Sequence, residues 1–337
     1  MKLKTRLVLL LSISLLIGGC IRNPLNVNTS KIEITLKIKR LDQDLFTLTE
    51  GNIQRDLPLL QKQYDPFFEI YNREVLAIGE SNDSLYSKYL LTFLKDTVCR
   101  AAKIKSDSVF KNFKPIEVQF AQAFKHFRYY FPKLQIPVVY TYLSGFNQSV
   151  VTAHDALGIS LDNYLGADCR LYQQLGIYEY KRRNMFPQKL VYDAMYGFAS
   201  QLFEYQGNTQ NLISEMIHQG KLLYFLDAMI PDGPDSLKIG FSQKQLTWCH
   251  EHEQQMWSYL VEKKMLFSGD RMELVRFINP APFTTPFGQK SPGRSGCWLG
   301  WQIVKSYLKK SPGLKLSDLM AENDYHKILN DSGYSPD

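Results

Sequence analysis

Tyr192-Asp193-Ala194-Met195-Tyr196 sets two side chains one helical turn apart, with a carboxylate beside the first of them. With imidazoles at the outer positions this spacing holds a zinc ion, and the carboxylate activates a bound water. Both outer positions are phenols in this chain, and Asp193 is one carbon shorter than the glutamate such chemistry uses. Gln219, in the run Gln219-Gly220-Lys221 of the next helix-patterned segment, stands where a third, carboxylate ligand would be presented. A neutral amide oxygen does not offset the charge of zinc. Tyr192, Asp193, Tyr196 and Gln219 therefore read as a cleft without catalytic residues.

Other chemistry-bearing residues are scattered. The segment Leu161 to Asp168 is rich in carboxylates and aromatics, and its Asp162 and Asp168 with the preceding His154 and Asp155 are expected either to line a cleft that takes a metal or a sugar or to belong to a structured loop. If the chain holds a metal at all, His154, Asp168 and His218 are its candidate ligands. His250 and His252 are two apart and diverge by about 200° on a helix, so they do not share an ion. Asp42 and Asp44, after a strand, read as caps and solvated charges. Ser291-Pro292-Gly293-Arg294-Ser295-Gly296 opens a helix, where Arg294 suits an anion or a peptide end, and close helix packing accounts for the glycines equally well. No Gly-x-Ser-x-Gly elbow, phosphate-binding loop or dinucleotide fingerprint occurs.

The elements that position these residues follow from periodicity. Leu190 to Asp227 carries two amphipathic helical segments, the second with Leu212, Ile213, Met216, Ile217, Gly220, Leu223 and Tyr224 at helical spacing. Ile32, Ile34, Leu36 and Ile38 alternate with polar residues, the pattern of a half-buried strand. Asp56 to Phe131 is helical with breaks, and its stripe Phe120, Phe124, Phe127 and Phe131 predicts core packing. Pro137 to Leu143, Ser149 to Ala153 and Leu157 to Leu161 predict an antiparallel meander. Ser242 with Gln245 makes a capping box, and residues 317–337 predict a short helix followed by disorder. The fold class expected is α+β, mainly helical with a small antiparallel sheet.

With 337 residues, 45% of them apolar, the chain can bury a large core. Its net charge of +7 is dispersed, without the clustering a nucleic-acid footprint needs, so nucleic acid is excluded as a partner. Lys2, Lys4 and Arg6, the apolar run Leu7 to Ile17, and then Gly18-Gly19-Cys20 describe a signal peptide over residues 1–19. The ending resembles a bacterial lipobox, which implies acyl chains of the palmitate type on Cys20 and no other cofactor. Residues 20–31 are then a lipidated tether, 32–316 one globular domain and 317–337 a tail. Ile21-Arg22 lacks an acidic export cluster, which favours a periplasm-facing protein. Cys99, Cys169, Cys249 and Cys297 are either two disulfides or buried thiols.

Taken together, several blocks resemble the gliding-motility lipoprotein GldB family of the Bacteroidetes. They are the lipobox, Ile38 to Phe46, Leu157 to Gly166, Tyr192 to Met195, Met216 to Tyr224, Trp248-Cys249, Asn279 to Phe283, Ser291 to Arg294 and Trp298 to Val304. That family is in turn similar to a group of zinc peptidases, and this chain departs from them at Tyr192, Tyr196, Gln219 and Asp193. The resemblance implies a zincin-like pseudo-peptidase core, anchored to the membrane through lipid, that binds envelope proteins of the gliding or secretion machinery without catalysis. A metal-dependent hydrolase with a non-standard site and a purely structural anchor are the alternatives.

Overall fold

The computed structural model describes residues 23–153, 155–207 and 210–336. The signal segment, Cys20 and His154 lie outside the described residues. Four strands, β1 (Ile38–Arg40), β2 (Val138–Tyr142), β3 (Val150–Ala153) and β4 (Ala156–Ser160), form one sheet in the order β1-β2-β4-β3. β1 and β4 both pair with β2 in parallel, Ile38 opposite Val139 and Tyr140 opposite Gly158, and only β3 with β4 is antiparallel. The sheet is therefore mixed, which corrects the expected antiparallel meander. β3 and β4 form a tight hairpin, but β4 inserts between β2 and β3, a long-range pairing that no turn residue announces.

Helices cover both faces. Their order is α1 (Ile53–Tyr64), α2 (Tyr86–Lys95), α3 (Thr97–Val109) and α4 (Lys114–Tyr130) before β2. After the sheet come α5 (Arg170–Gln174), α6 (Leu190–Leu202), α7 (Leu212–Met229) and α8 (Asp235–Ile239). The chain ends with α9 (Gln243–Glu251), α10 (Glu253–Glu262), α11 (Arg271–Ile278), α12 (Ser295–Lys310), α13 (Leu316–Ala321) and α14 (Tyr325–Ser332). None of the described helices is long and apolar enough to cross a membrane.

Strand alternation divides the core. Tyr140, Tyr142 and Ala156 face a smaller cluster with Phe67, Tyr71, α1 and α2, whereas Val139, Leu157 and Ile159 face the main core of α4, α6, α7 and α12. The Phe67 ring stacks on Tyr140 with centroids 4.2 Å apart, and a Cβ at position 158 would lie 2.6 Å from that ring, so β4 carries Gly158 there. On the main side the phenylalanine stripe is buried, with Phe127 packed edge-on against Phe198 of α6 and Phe225 of α7.

Asp42 is not a solvated cap. It is buried, accepts both Nε and Nη2 of Arg40 at 2.9 and 2.8 Å, and takes the Thr141 hydroxyl, locking β1 to β2. Asp44 accepts the Tyr64 hydroxyl at 2.6 Å. Ile32 to Lys37 keeps its alternating burial, although only Ile38 to Arg40 is strand. Asn23 to Thr29 lies along α4, not free of the domain: Tyr130 donates to the Leu25 carbonyl and Gln122 to the Thr29 hydroxyl, each at 3.1 Å. The C-terminal segment is also folded, with Tyr325 and Ile328 of α14 buried against α7 and α12. All four described cysteines are buried free thiols.

Candidate functional site

α7 and α12 cross with backbone on backbone. A Cβ at Gly220 would lie 2.3 Å from the Gly300 carbonyl, and one at Gly300 only 1.7 Å from the Met216 carbonyl oxygen. Both glycines are thus required by approach distance. Trp301, next to Gly300, donates its indole N–H to the Asp227 carboxylate at 2.8 Å, and Lys238 of α8 pairs with the same carboxylate at 2.7 Å. Burial pushes the Asp227 carboxyl up and Lys238 pulls it down, the first effect being the larger.

That crossing fixes what lies one residue or one turn away. Gln219 precedes Gly220, and its amide oxygen accepts the Tyr196 hydroxyl from α6. Burial pushes the Tyr196 phenol up to about 12, so at neutral pH it is a donor and not a phenolate. Arg294 stands just before α12 in the left-handed region, at φ 60°, held there by the turn after Gly293, where a Cβ would lie 2.2 Å from the Ala281 carbonyl oxygen. Its guanidinium lies over the Tyr196 ring, 5.7 Å from the centroid, and donates to the Tyr196 hydroxyl at 3.3 Å and the Ile239 carbonyl at 3.5 Å.

In front of Arg294 is a cavity of about 390 Å³. Asp193 forms part of its floor, bonded to the Lys189 ammonium and to the Tyr164 hydroxyl at 3.1 Å. Lys181 and Arg183 also line it, and Asn184 donates to the Gly240 carbonyl at 3.0 Å. The Arg183 Nε is buried without a hydrogen-bond partner. Among the described residues, Lys181, Arg183 and Arg294 form no ion pair, so three cations face a cavity whose one lining carboxylate is already matched by Lys189.

The candidates from sequence are distributed around this arrangement. Asp193 and Arg294 line the cavity, and Tyr196 and Gln219 form the layer beneath Arg294. Tyr192 is buried on another face of α6, where its hydroxyl lies against Gly233. Asp162 is fully buried and accepts the Ser144 N–H at 3.1 Å, the Phe146 N–H at 2.8 Å and the Ser160 hydroxyl. It shapes the wall that Phe146 and Asn163 present without reaching the cavity. Asp168 is exposed in a separate depression with Lys105.

His218 is buried on α7 beside the Tyr325 hydroxyl, 3.2 Å away, and burial together with Lys221 brings its imidazole down to about 4. Lys221 itself is lowered to about 8 by burial and donates to the Glu322 carbonyl at 2.6 Å. His218 and Asp168 are thus not neighbours, and no group of three or more His, Cys, Asp or Glu among the described residues is placed to hold a metal ion. His252 stacks on Trp248, and His250 is exposed with its ring edge-on to Trp298, so the two do not converge on one site. Lys181 and Arg183 are lining residues that spacing did not single out, with the run Lys181-Arg182-Arg183 as their local signal, whereas Asn163 and Tyr164 belong to the segment Leu161 to Asp168.

A protein family described as gliding motility protein GldB matches this chain over residues 22–336. No curated protein matches it. No solved structure matches it either.

Proposed function

The chain belongs to the gliding motility protein GldB family, and we propose that it is a non-enzymatic lipoprotein of the cell envelope. It is lipidated at Cys20, and it holds an acidic segment of a partner protein in the cavity before Arg294. Family membership makes it a lipoprotein related to gliding motility. The non-catalytic role and the mode of binding are this reading's own additions.

The observation that carries the reading is the state of the residues at the positions where a peptidase would need ligands and a base. Tyr196 and Gln219 are neutral and satisfy each other, and Asp193 is engaged by Lys189 and Tyr164. The cations Lys181, Arg183 and Arg294 are left without a carboxylate of their own. Arginine presents a fork of donors matched to a carboxylate, and in a partly desolvated cavity such a pair is stronger than on open surface. The cavity therefore favours Asp and Glu side chains or a chain end over a neutral peptide. A degenerate peptidase cleft in which binding outlived hydrolysis has this character.

The test is to titrate the purified protein with fluorescent peptides rich in Glu and Asp, reading anisotropy for binding and mass spectra for cleavage. Binding without cleavage is expected, weakened at least tenfold by Arg294→Met and weakened at high salt. Cleavage that Asp193→Asn abolishes, or equal binding by Arg294→Met, overturns the proposal.

A further inference from the structure

The segment that follows Cys20 meets the domain almost at once. Asn23 donates its side-chain amide to the Pro231 carbonyl at 3.0 Å, and Asn26 donates to both carboxylate oxygens of Asp232 at 2.9 Å. From Leu25, bonded to Tyr130, to Thr29, bonded to Gln122, the chain runs antiparallel to α4. The end nearer Cys20 is therefore at the C-terminal end of α4, beside the loop that follows. A trans peptide chain advances at most about 3.6 Å per residue, so a link of three residues reaches at most about 11 Å from Asn23.

The surface around that point suits lipid headgroups. Tyr129 is 50% exposed, its ring 5.0 Å from that of Tyr130, and Leu134 is 36% exposed. Pro132, Lys133 and Gln135 are exposed between and beyond them, and Arg128 donates to the Pro132 carbonyl at 2.7 Å. A tyrosine with its ring at headgroup depth, a leucine at a loop tip and two cations are the side chains that a membrane–water interface accepts. The carboxylate at this edge, Asp232, is occupied by Asn26.

Resting on lipidation at Cys20, we propose that the C-terminal end of α4 with the loop Pro132 to Gln135 lies on the lipid headgroup layer, so that the domain has one membrane-facing side. The short, docked link sets the orientation and the acyl chains supply the affinity. The turn that grips Asn23 leads into α8, whose far end, Ile239, is part of the cavity wall. Gly233 and Ile239 are at most about 22 Å apart along the chain. The cavity is thus held close to the membrane.

The test uses the full lipoprotein in vesicles of phosphatidylethanolamine with a minor fraction of phosphatidylglycerol and a lipid carrying a nitroxide at its headgroup. A fluorophore is placed at Tyr129→Cys or Leu134→Cys, and for comparison at Leu59→Cys or Tyr89→Cys, which are exposed on the helices across the sheet. The four native thiols in the domain are buried. Quenching several-fold stronger at positions 129 and 134 is expected, and Asn23→Ala with Asn26→Ala should reduce that contrast. Equal quenching at all four positions in a protein whose mass shows the acyl chains overturns the orientation while leaving the anchor intact. A mass without acyl chains overturns the reading at Cys20 on which it rests.

Discussion

The middle of α12 and its N-terminal end meet their neighbours in opposite ways. At Gly300 the helix is pressed onto α7 so closely that no side chain fits between the two backbones. At Arg294, less than two turns earlier, the same element faces a cavity and carries a cation with no carboxylate partner. α7 repeats the contrast within a single step, since Gly220 belongs to the crossing while Gln219 reaches Tyr196 under the cavity. A rigid, dry contact thus supports an open, charged one, and the two regions answer to different constraints: steric fit in the first, charge balance in the second.

The largest expected effect breaks the closed side. Lys238→Met leaves the Asp227 carboxylate buried between α7 and Trp301 without its countercharge. Removing one partner of a buried pair destabilises by about 3–5 kcal/mol, to be read from urea unfolding. A loss under about 1 kcal/mol would mean that Trp301 alone satisfies Asp227 and that the crossing is less tightly specified than its geometry suggests.

A smaller effect sharpens the comparison along α12 itself. Gly300→Ala gains helix propensity, about 1 kcal/mol, but it must push α7 away, since its Cβ would lie 1.7 Å from the Met216 oxygen. Overpacking of this kind is expected to leave a net loss of about 1–3 kcal/mol. Arg294→Met, at the N-cap of the same helix, removes long hydrogen bonds to Tyr196 and Ile239 and a contact over the Tyr196 ring, and is expected to change stability by less than about 1 kcal/mol. Equal losses at the two positions would erase the distinction between a structural crossing and a binding cavity.

Much of this arrangement was legible in the sequence, because helical periodicity is local. α6, α7 and α12 fall where their apolar spacing puts them, and the capping box at Ser242 and Gln245 is formed. The strands were also placed, but their pairing was not. Hairpin signals are read between neighbours, whereas β2 and β4 pair in parallel although β3 separates them in sequence. Ile32, Ile34 and Leu36 show the converse: alternation reports which side of an extended chain is buried, not whether it is hydrogen-bonded to a strand.

The C-terminal segment did carry a signal, since Tyr325, Ile328, Leu329 and Ser332 are spaced as one helical face. At the candidate site the motif comparison located Asp193, Tyr196, Gln219 and Arg294, three of them joined by hydrogen bonds. Lys181 and Arg183 come from the single helical turn Glu179–Arg182 and its C-terminal end, which carry no motif, and only the fold brings them to the cavity. The reverse holds for Asp162, whose carboxylate looks available in sequence but is used up by the N–H groups of the Ser144 to Phe146 turn.

The central claim is that the cavity before Arg294 is where the protein acts. It is tested most directly in cells deleted for their own copy of this family's gene, complemented with the wild-type chain or with Arg294→Met at matched envelope levels. The account predicts that the wild type restores surface spreading and Arg294→Met does not. Full spreading restored by Arg294→Met would contradict it.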